Sequence, residues 1–268
     1  MKRHSRKTMG QHFLTNPYTL NKIIDCIAPQ KKDLIIEIGA GKGSLTHLLS
    51  EKAGRVIALE KDTSLIPYLE KNKPSNLEIR QEDVLKTDFN NLAKPGSAKL
   101  VGNLPYSISS QILFKLLEEH NMIRECHFML QKEVAERVCA SPGTKKYAPL
   151  SILLQNIFSV KIRFLLSPGS FTPPPRVRSA FITLKKRSTP LYPFMNTDGF
   201  KSFLKQTFSQ RRKKLKNTLK PQGFSSGHIA ECFRKCGLDP HIRAEKVSID
   251  TFACLYLSLT DSKNKESI

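Results

Sequence analysis

The chain has 268 residues, of which 39% are hydrophobic and 25% are charged, a balance that excludes disorder along the whole length. Lys and Arg number 44 against 23 Asp and Glu, and the formal net charge of +21 predicts a polyanionic partner, either nucleic acid or an anionic membrane surface. No apolar run approaches the roughly 18 residues that span a bilayer. No apolar segment follows the basic first ten residues, so we expect a cytoplasmic protein whose partner is nucleic acid and not a membrane.

Short apolar segments alternate with helical stretches through the first half of the chain. Residues 34–38 (LIIEI) have the pattern of a buried strand, which is followed by a glycine-rich turn and a helix. Further strands are predicted from residues 55, 77, 99 and 126, where the runs RVIALE, LEIRQEDV, KLVGN and CHFMLQ begin. This alternation predicts an α/β fold with a doubly wound, mostly parallel sheet. Two late strands, 160–166 and 179–186, are linked by a loop rich in Gly and Pro.

The pattern changes after residue 188. A turn-rich connector is followed by apolar residues at helical spacing over 200–208, and further helical segments continue to about residue 260. We therefore predict two domains, 1–188 and 189–268, the second helical and basic, with a frayed tail over the last eight residues. Residues 161–220 hold 15 Lys and Arg and a single acid, which predicts an RNA-binding surface. Its densest point is the run Arg211, Arg212, Lys213 and Lys214. A solvated cationic face is the alternative.

Six cysteines lie at positions 26, 126, 139, 232, 236 and 254. Cys232 and Cys236 are four residues apart and could share a helix face, but no second pair and no His-x3-His partner completes a zinc site. We expect no metal, and unpaired thiols in a reducing compartment.

The glycine-rich turn Gly39-Ala40-Gly41-Lys42-Gly43 joins a strand to a helix, as in nucleotide-binding folds. The next predicted strand ends in Glu60, whose carboxylate can accept hydrogen bonds from both hydroxyls of a ribose. Asp83, after the third strand, could receive the amino group of an adenine. The G-x-G-x-x-G fingerprint of dinucleotide sites is absent, so a ligand without phosphate, S-adenosylmethionine, fits better. A tight turn that binds nothing is the alternative.

The segment Asn103-Leu104-Pro105-Tyr106 lies at the predicted carboxyl end of the fourth strand, where open α/β sheets bind ligands. Pro105 stiffens the turn, so the Asn103 side-chain oxygen and the Leu104 carbonyl can converge on one NH2 donor. Tyr106 offers a face on which a base can stack, and Phe171 is a candidate second face. These features favour methyl transfer to an exocyclic adenine amine. A proline turn with a packed tyrosine, and a Phe171 that packs in the core, are the alternatives.

At this point the sequence resembles a family, the KsgA/RsmA-type ribosomal RNA adenine dimethyltransferases. The likeness runs from about residue 7 to 257 and rests on these segments in family order: GQHFL (10–14), EIGAGKGSLT (37–46), LEKD (59–62), EDVL (82–85), NLPYSIS (103–109), MLQKEVAERV (129–138), FTPPPRVRSAF (171–181) and FSQRRKKLKN (208–217). It implies a Rossmann-like class I S-adenosylmethionine-dependent methyltransferase domain over 1–188 and a small α-helical C-terminal domain over 189–268. It also implies dimethylation of two adjacent adenosines in the 3′-terminal hairpin loop of small-subunit (16S) rRNA, within an immature 30S particle, by a monomer.

The resemblance also assigns roles to individual residues. The implied donor-binding residues are His12, Leu14, Gly39, Gly41, Glu60, Asp83, Val84 and Asn103. His12 and Leu14 would contact the methionine end of the donor, Glu60 the ribose and Asp83 the adenine. The implied catalytic residues are Asn103, Leu104, Tyr106 and Phe171, the last two enclosing the target base. Two departures from the family pattern are His12, where many relatives have Asn, and Arg178, where an acid is common.

Three alternatives stay open on the sequence alone. A methyltransferase of the antibiotic-resistance type, acting on large-subunit RNA, shares turns like Asn103–Tyr106. A ribosome assembly factor could act mainly by binding, although the donor-binding residues are intact. A nicotinamide-dependent oxidoreductase would need the missing dinucleotide fingerprint and leaves the basic segment unexplained.

Overall fold

The computed structural model describes residues 12–261. The basic segment at 1–10 and residues 262–268 of the tail that was expected to fray lie outside the described residues. Within 12–261, no helix combines the length and the apolar composition needed to cross a bilayer.

The strands form one large sheet and one small one. Their bounds are β1 (Phe13–Leu14), β2 (Leu34–Ile38), β3 (Arg55–Glu60), β4 (Leu77–Gln81), β5 (Ala98–Asn103), β6 (Ile123–Gln131), β7 (Phe158–Leu166), β8 (Phe171–Thr172) and β9 (Ser179–Lys186). The seven-stranded sheet has the order β4-β3-β2-β5-β6-β9-β7, and β1 pairs with β8 in a separate two-stranded sheet. Strands β2 to β6 pair in parallel, whereas β9 runs antiparallel to β6. The predicted α/β fold with a mostly parallel sheet is therefore confirmed.

Helices connect the parallel strands and make up the C-terminal segment. Their bounds are α1 (Pro17–Ile27), α2 (Ser44–Lys52), α3 (Ile66–Glu70), α4 (Ser109–Glu118), α5 (Lys132–Val138), α6 (Pro149–Ile157), α7 (Asp198–Phe208), α8 (Leu215–Leu219), α9 (Ser226–Lys235) and α10 (Ile249–Asp261). Helix α1 illustrates why they form: Asn16 caps it by accepting a hydrogen bond from the Thr19 amide, Pro17 occupies the first turn, and buried apolar residues recur on one face.

The centre of the sheet is β2, which lies between β3 and β5. A strand that is covered on both faces must be apolar at almost every position, and Ile35, Ile36 and Ile38 are all buried. Because β3 and β5 both run parallel to β2, with Ile38 opposite Leu59 and Gly102, the carboxyl ends of the three strands meet at one edge of the sheet.

The described chain divides into two compact units. The first comprises the residues up to Ala135 together with Val160–Lys186, and the second comprises Glu136–Ser159 together with Arg187 onward. The single cut predicted after residue 188 therefore misses that Glu136–Ser159 belongs with the C-terminal segment. The reason is tertiary: Asn156 on α6 donates to the Tyr192 carbonyl at 3.0 Å and accepts from the Tyr192 amide at 2.8 Å.

The expectation of unpaired thiols is wrong for two cysteines. Cys236, which follows α9, forms a disulfide with Cys254 on α10. The packing of α9 against α10 brings their Cα atoms to 5.9 Å, a typical disulfide separation, although the residues are 18 apart in sequence. The other four, Cys26, Cys126, Cys139 and Cys232, are free thiols. Among the described residues, no three His, Cys, Asp or Glu side chains cluster as metal ligands.

Candidate active site

A cleft opens at the carboxyl ends of β2, β3 and β5. Eight residues predicted for the site line it: His12, Leu14, Gly39, Gly41, Glu60, Asn103, Leu104 and Tyr106. Phe13, Glu37, Lys42 and Met129 are among the lining residues that the sequence did not predict. Segments from residue 12 to residue 129 thus meet in one cleft because the parallel strands end at one edge.

The glycine turn after β2 shapes one wall of the cleft. Gly39 and Gly41 have φ angles of +70° and +61°, a region that side-chain-bearing residues rarely adopt. A Cβ on Gly41 would also lie 3.1 Å from the Phe13 ring. This backbone directs the Gly41 amide at Glu60, so the turn and the acid on the next strand form one unit.

Both oxygens of the Glu60 carboxylate are held by backbone amides. The Gly41 amide donates to Oε2 and the Asp62 amide to Oε1, each at 2.8 Å. Glu60 is only 5% exposed. Each carboxylate oxygen has a second lone pair, so a carboxylate fixed in this way can still accept two hydrogen bonds from a vicinal diol.

Glu37 is a lining residue that sequence reasoning missed. It is the next-to-last residue of β2, is 2% exposed, and its Oε2 has no hydrogen-bond partner among the described residues. Burial raises the pKa of the Glu37 carboxyl to about 8; the Thr46 hydroxyl opposes this shift and the charge of Glu60 adds to it. The carboxyl is therefore largely protonated at neutral pH. The available signal was an acid inside the apolar run LIIEI, since an acid at a buried strand position is rarely there without a function.

Asn103, the last residue of β5, is held in a defined orientation. Its Nδ2 donates to the His12 carbonyl at 2.7 Å, which leaves Oδ1 as the end of the carboxamide that can accept a hydrogen bond from a ligand. The following residue is also fixed, because the Leu104 amide donates to the Met129 carbonyl at 3.1 Å. Both residues of the turn are therefore held in place, and convergence of Asn103 Oδ1 and the Leu104 carbonyl on one amine stays a prediction.

Tyr106 is half-buried at the cleft and anchored through its hydroxyl. The hydroxyl lies 2.5 Å from Oγ of Ser179, a fully buried residue at the start of β9. The ring centroid is 5.7 Å from that of His12, with an interplanar angle of 35°. Burial raises the pKa of the Tyr106 phenol, and the Ser179 hydrogen bond opposes the shift. The phenol is therefore neutral at ordinary pH, and its ring can serve as a stacking surface but not as a base.

Phe171 does not line the cleft. It lies on β8 opposite Leu14 of β1, is 3% exposed, and belongs to the apolar core beneath the sheet edge. In this structure it fills the core-packing role that was the alternative on the sequence, and its role as a second stacking face stays a prediction.

Asp83 and Val84 also lie outside the cleft lining. The Asp83 carboxylate pairs with Lys61 at 2.8 Å and accepts from the Leu85 amide at 3.0 Å. The Lys61 hydrogen bond, followed by that of the Leu85 amide, lowers the pKa of Asp83. The segment is nevertheless adjacent to the cleft, because the Glu82 amide donates to the Glu60 carbonyl at 3.0 Å. Adenine binding by Asp83 and Val84 stays a prediction.

The four basic residues predicted to bind RNA differ in their surroundings. The Arg211 guanidinium donates to the Lys145 carbonyl at 2.6 Å and the Tyr147 carbonyl at 3.1 Å, and it lies 3.4 Å from Glu245. These contacts lie within the second unit, and phosphate binding by Arg211 stays a prediction. Lys214 Nζ lies 2.7 Å from Nδ1 of His241. Arg212 and Lys213 are exposed and form no ion pair within residues 12–261. These two are therefore the most available of the four.

The mostly parallel sheet and the cleft at its carboxyl edge define a Rossmann-like domain, which a helical C-terminal segment follows, as in the methyltransferase class that the sequence predicts. A family described as Ribosomal RNA adenine dimethylase matches residues 2–261. The chain belongs to this family and is an rRNA adenine dimethyltransferase.

Relatives and solved structures agree with this assignment. Two proteins named Ribosomal RNA small subunit methyltransferase A are similar to this chain over 255 residues. The protein from Xylella fastidiosa is 41% identical, and the match covers 94% of this chain and 94% of that protein. The protein from Nitrosomonas eutropha is 38% identical, and the match covers 95% of this chain and 97% of that protein. A dimethyladenosine transferase from Plasmodium falciparum has a TM-score of 0.80 and 27% identity, covering 96% of this chain and 99% of its own. The 23S rRNA methyltransferase ErmE is 22% identical and has a TM-score of 0.71, and the match covers 92% of this chain and 99% of that chain. At this identity the likeness shows a shared fold alone.

Proposed function

We propose that this enzyme uses S-adenosylmethionine to dimethylate the exocyclic amines of two adjacent adenosines in the 3′-terminal hairpin loop of small-subunit rRNA. The observation that carries the proposal is the Asn103 carboxamide, held by the His12 carbonyl with its Oδ1 left for an amine at the carboxyl end of β5. The family match and the names of the relatives support the choice of adenine and of the small subunit.

The residues of the cleft fit an S-adenosylmethionine donor. Glu60 is fixed by two amides and keeps acceptor capacity for the ribose hydroxyls. Glu37 has a buried oxygen without a partner among the described residues, which suits a hydrogen-bond donor of the ligand. S-adenosylmethionine would supply, when bound, an electrophilic methyl group. The carboxyls and the glycine turn would bind the polar ends of the donor, and the apolar Leu14 would exclude water.

The target amine is bound and oriented by acceptors. An adenine N6 is a poor nucleophile because its lone pair is delocalised into the ring. The Asn103 Oδ1 and the Leu104 carbonyl can accept its two hydrogens, which favours a tetrahedral nitrogen with an available lone pair. Tyr106 provides the stacking surface for the unstacked base. The nearby Glu37 and Tyr106 are protonated at neutral pH, so positioning supplies most of the catalysis in this proposal.

The finer assignments rest on the family resemblance. We infer that the substrate is rRNA within an immature 30S particle, that the enzyme acts as a monomer in the cytoplasm, and that Arg212 and Lys213 contact phosphates. A formal charge of +21 supports a nucleic-acid substrate.

The test is methyl transfer from labelled S-adenosylmethionine to unmethylated small subunits, with unmethylated large-subunit RNA assayed alongside. Digestion and mass analysis should find dimethyladenosine at two adjacent positions of the small-subunit hairpin. Asn103→Ala should be inactive, and Ser107→Ala, an exposed change in the same turn, should retain activity. Label only in large-subunit RNA would contradict the proposed substrate, and no label in either would contradict the proposed reaction.

A further inference from the structure

A second concave site lies within the C-terminal unit, along one face of α9. Ser226, Ile229, Ala230, Phe233 and Arg234 lie at helical spacing on that face and line a cavity of about 410 Å³. We call this cavity the α9 groove. Eight residues of helix separate its ends, so it is about 12 Å long at 1.5 Å per residue. Its floor is apolar, because Ile229, Phe233 and Leu238 present the edges of buried side chains.

The rim of the α9 groove carries only positive charge. Lys216 on α8 and Lys220 just beyond it stand on one side, and Arg234 stands near the end of α9. No Asp or Glu lines the groove, and within residues 12–261 none of these three cations forms an ion pair. Like charges around a concave apolar surface repel one another and favour an anionic ligand.

The chemistry of the groove selects among anionic ligands. An apolar floor enclosed by cations suits a ligand with a flat apolar body and flanking phosphates, which is a nucleotide. The length of about 12 Å accommodates one or two nucleotides. The groove is also continuous along the chain with the exposed Arg212 and Lys213, because only Lys214 and Leu215 separate them from Lys216.

We propose that the α9 groove binds an unstacked nucleotide of single-stranded RNA, with the base on the floor of Ile229 and Phe233 and the phosphates on Lys216 and Lys220. This inference rests on the proposed function, since it assumes an RNA substrate, and it adds a nucleotide contact other than the methylated adenosine. An acidic peptide is the competing occupant.

The experiment measures binding of the full chain to two labelled probes, hexauridylate and an abasic ribose-phosphate oligomer with the same number of phosphates. Uridylate avoids the adenine preference expected of the cleft. Lys216→Gln/Lys220→Gln should weaken hexauridylate binding about tenfold at 0.1 M salt and lower the slope of log K against log salt by about 1.4. Lys235→Gln/Lys246→Gln removes the same charge from exposed positions of the same unit outside the groove and should change binding less than about twofold.

A second variant tests the floor independently of charge. Ala230→Trp fills the groove from an exposed helix position. The wild-type protein should bind hexauridylate with about fivefold or greater affinity than the abasic probe. Ala230→Trp should remove this difference in affinity. Thermal melts of each variant establish that it is folded, and the lysine variant still tests the proposal if Ala230→Trp does not fold.

Three results would overturn the proposal. The first is equal binding by the groove and control lysine variants. The second is equal affinity of the wild-type protein for the base-bearing and abasic probes. The third is displacement of both probes by hexaglutamate at matched concentration, which would identify a peptide site. Methyl transfer by the wild-type protein to small subunits, measured in parallel, separates failure of this inference from failure of the proposed function.

Discussion

Glu37→Gln should remove a pH-dependent loss of stability that the buried Glu37 carboxyl imposes on the wild-type protein. Glu37 is fully enclosed in β2 beside Glu60, and its pKa is raised from 4.5 to about 8, chiefly because burial disfavours the charged form. Glutamine has nearly the same shape and cannot ionise. The variant therefore retains the packing and removes only the titration.

The sign and size of the effect follow from proton linkage. Between pH 4.5 and about 8 the folded protein keeps the Glu37 proton, whereas the unfolded chain has released it. The unfolded state thus binds fewer protons, and the free energy of unfolding falls as pH rises, by about 1.4 kcal/mol per pH unit. Over the interval from pH 5.5 to 7.5 the loss is about 3 kcal/mol. This loss should be absent from Glu37→Gln.

The assay is urea unfolding of both proteins at pH 5.5, 6.5 and 7.5. All other titrating groups are shared, so their contributions cancel in the difference between the two proteins. The stability of Glu37→Gln relative to wild type should increase by about 3 kcal/mol across this range. Parallel pH dependences in the two proteins would refute the reasoning, because they would show that Glu37 titrates alike in the folded and unfolded states.

Four further predictions concern the cleft and the RNA surface. Asn103→Ala should abolish methyl transfer and leave the melting temperature near that of wild type; wild-type turnover would contradict the amine-positioning account. Tyr106→Ala should weaken capture of the target base by about 1–3 kcal/mol, measured as a rise in KM for RNA, and unchanged kinetics would argue against stacking. Ser179→Ala should raise KM for RNA by a smaller factor with kcat retained, and Ser179→Thr should restore it; loss of stability with unaltered KM would make the contact purely structural. Arg212→Gln/Lys213→Gln should lower the slope of log K for RNA binding against log salt by about 1.4. An unaltered slope would place the phosphate contacts elsewhere.

The sequence predicted best those strands that are buried along most of their length. Residues 34–38, 55–60 and 179–186 form strands with the predicted bounds, because a strand that is covered on both faces is apolar at most of its interior positions. The glycine turn and Glu60 were predictable for a related reason. Positive φ angles require glycine, and parallel topology places the end of the next strand beside the turn.

The contacts that the sequence did not predict join residues that lie far apart in the chain. Phe171 packs in the core because β8 pairs with β1, across more than 150 residues. The Arg211 guanidinium donates to the carbonyls of Lys145 and Tyr147, more than 60 residues away in the chain. Cys236 pairs with Cys254 because α9 packs against α10. None of these partnerships leaves a periodic signal in the sequence.

The sequence by itself determined the fold class, the position of the cleft and the chemical type of the site, because strand burial, glycine geometry and the Asn103–Tyr106 turn are local properties of the chain. Only the tertiary structure decided the orientation of the Asn103 carboxamide, the anchoring of Tyr106 by Ser179, and the protonation of Glu37. The physical reason is the same in each case. Hydrogen-bond geometry and desolvation depend on atoms brought together by packing, which are separated in the chain by 91 residues for His12 and Asn103 and by 73 for Tyr106 and Ser179.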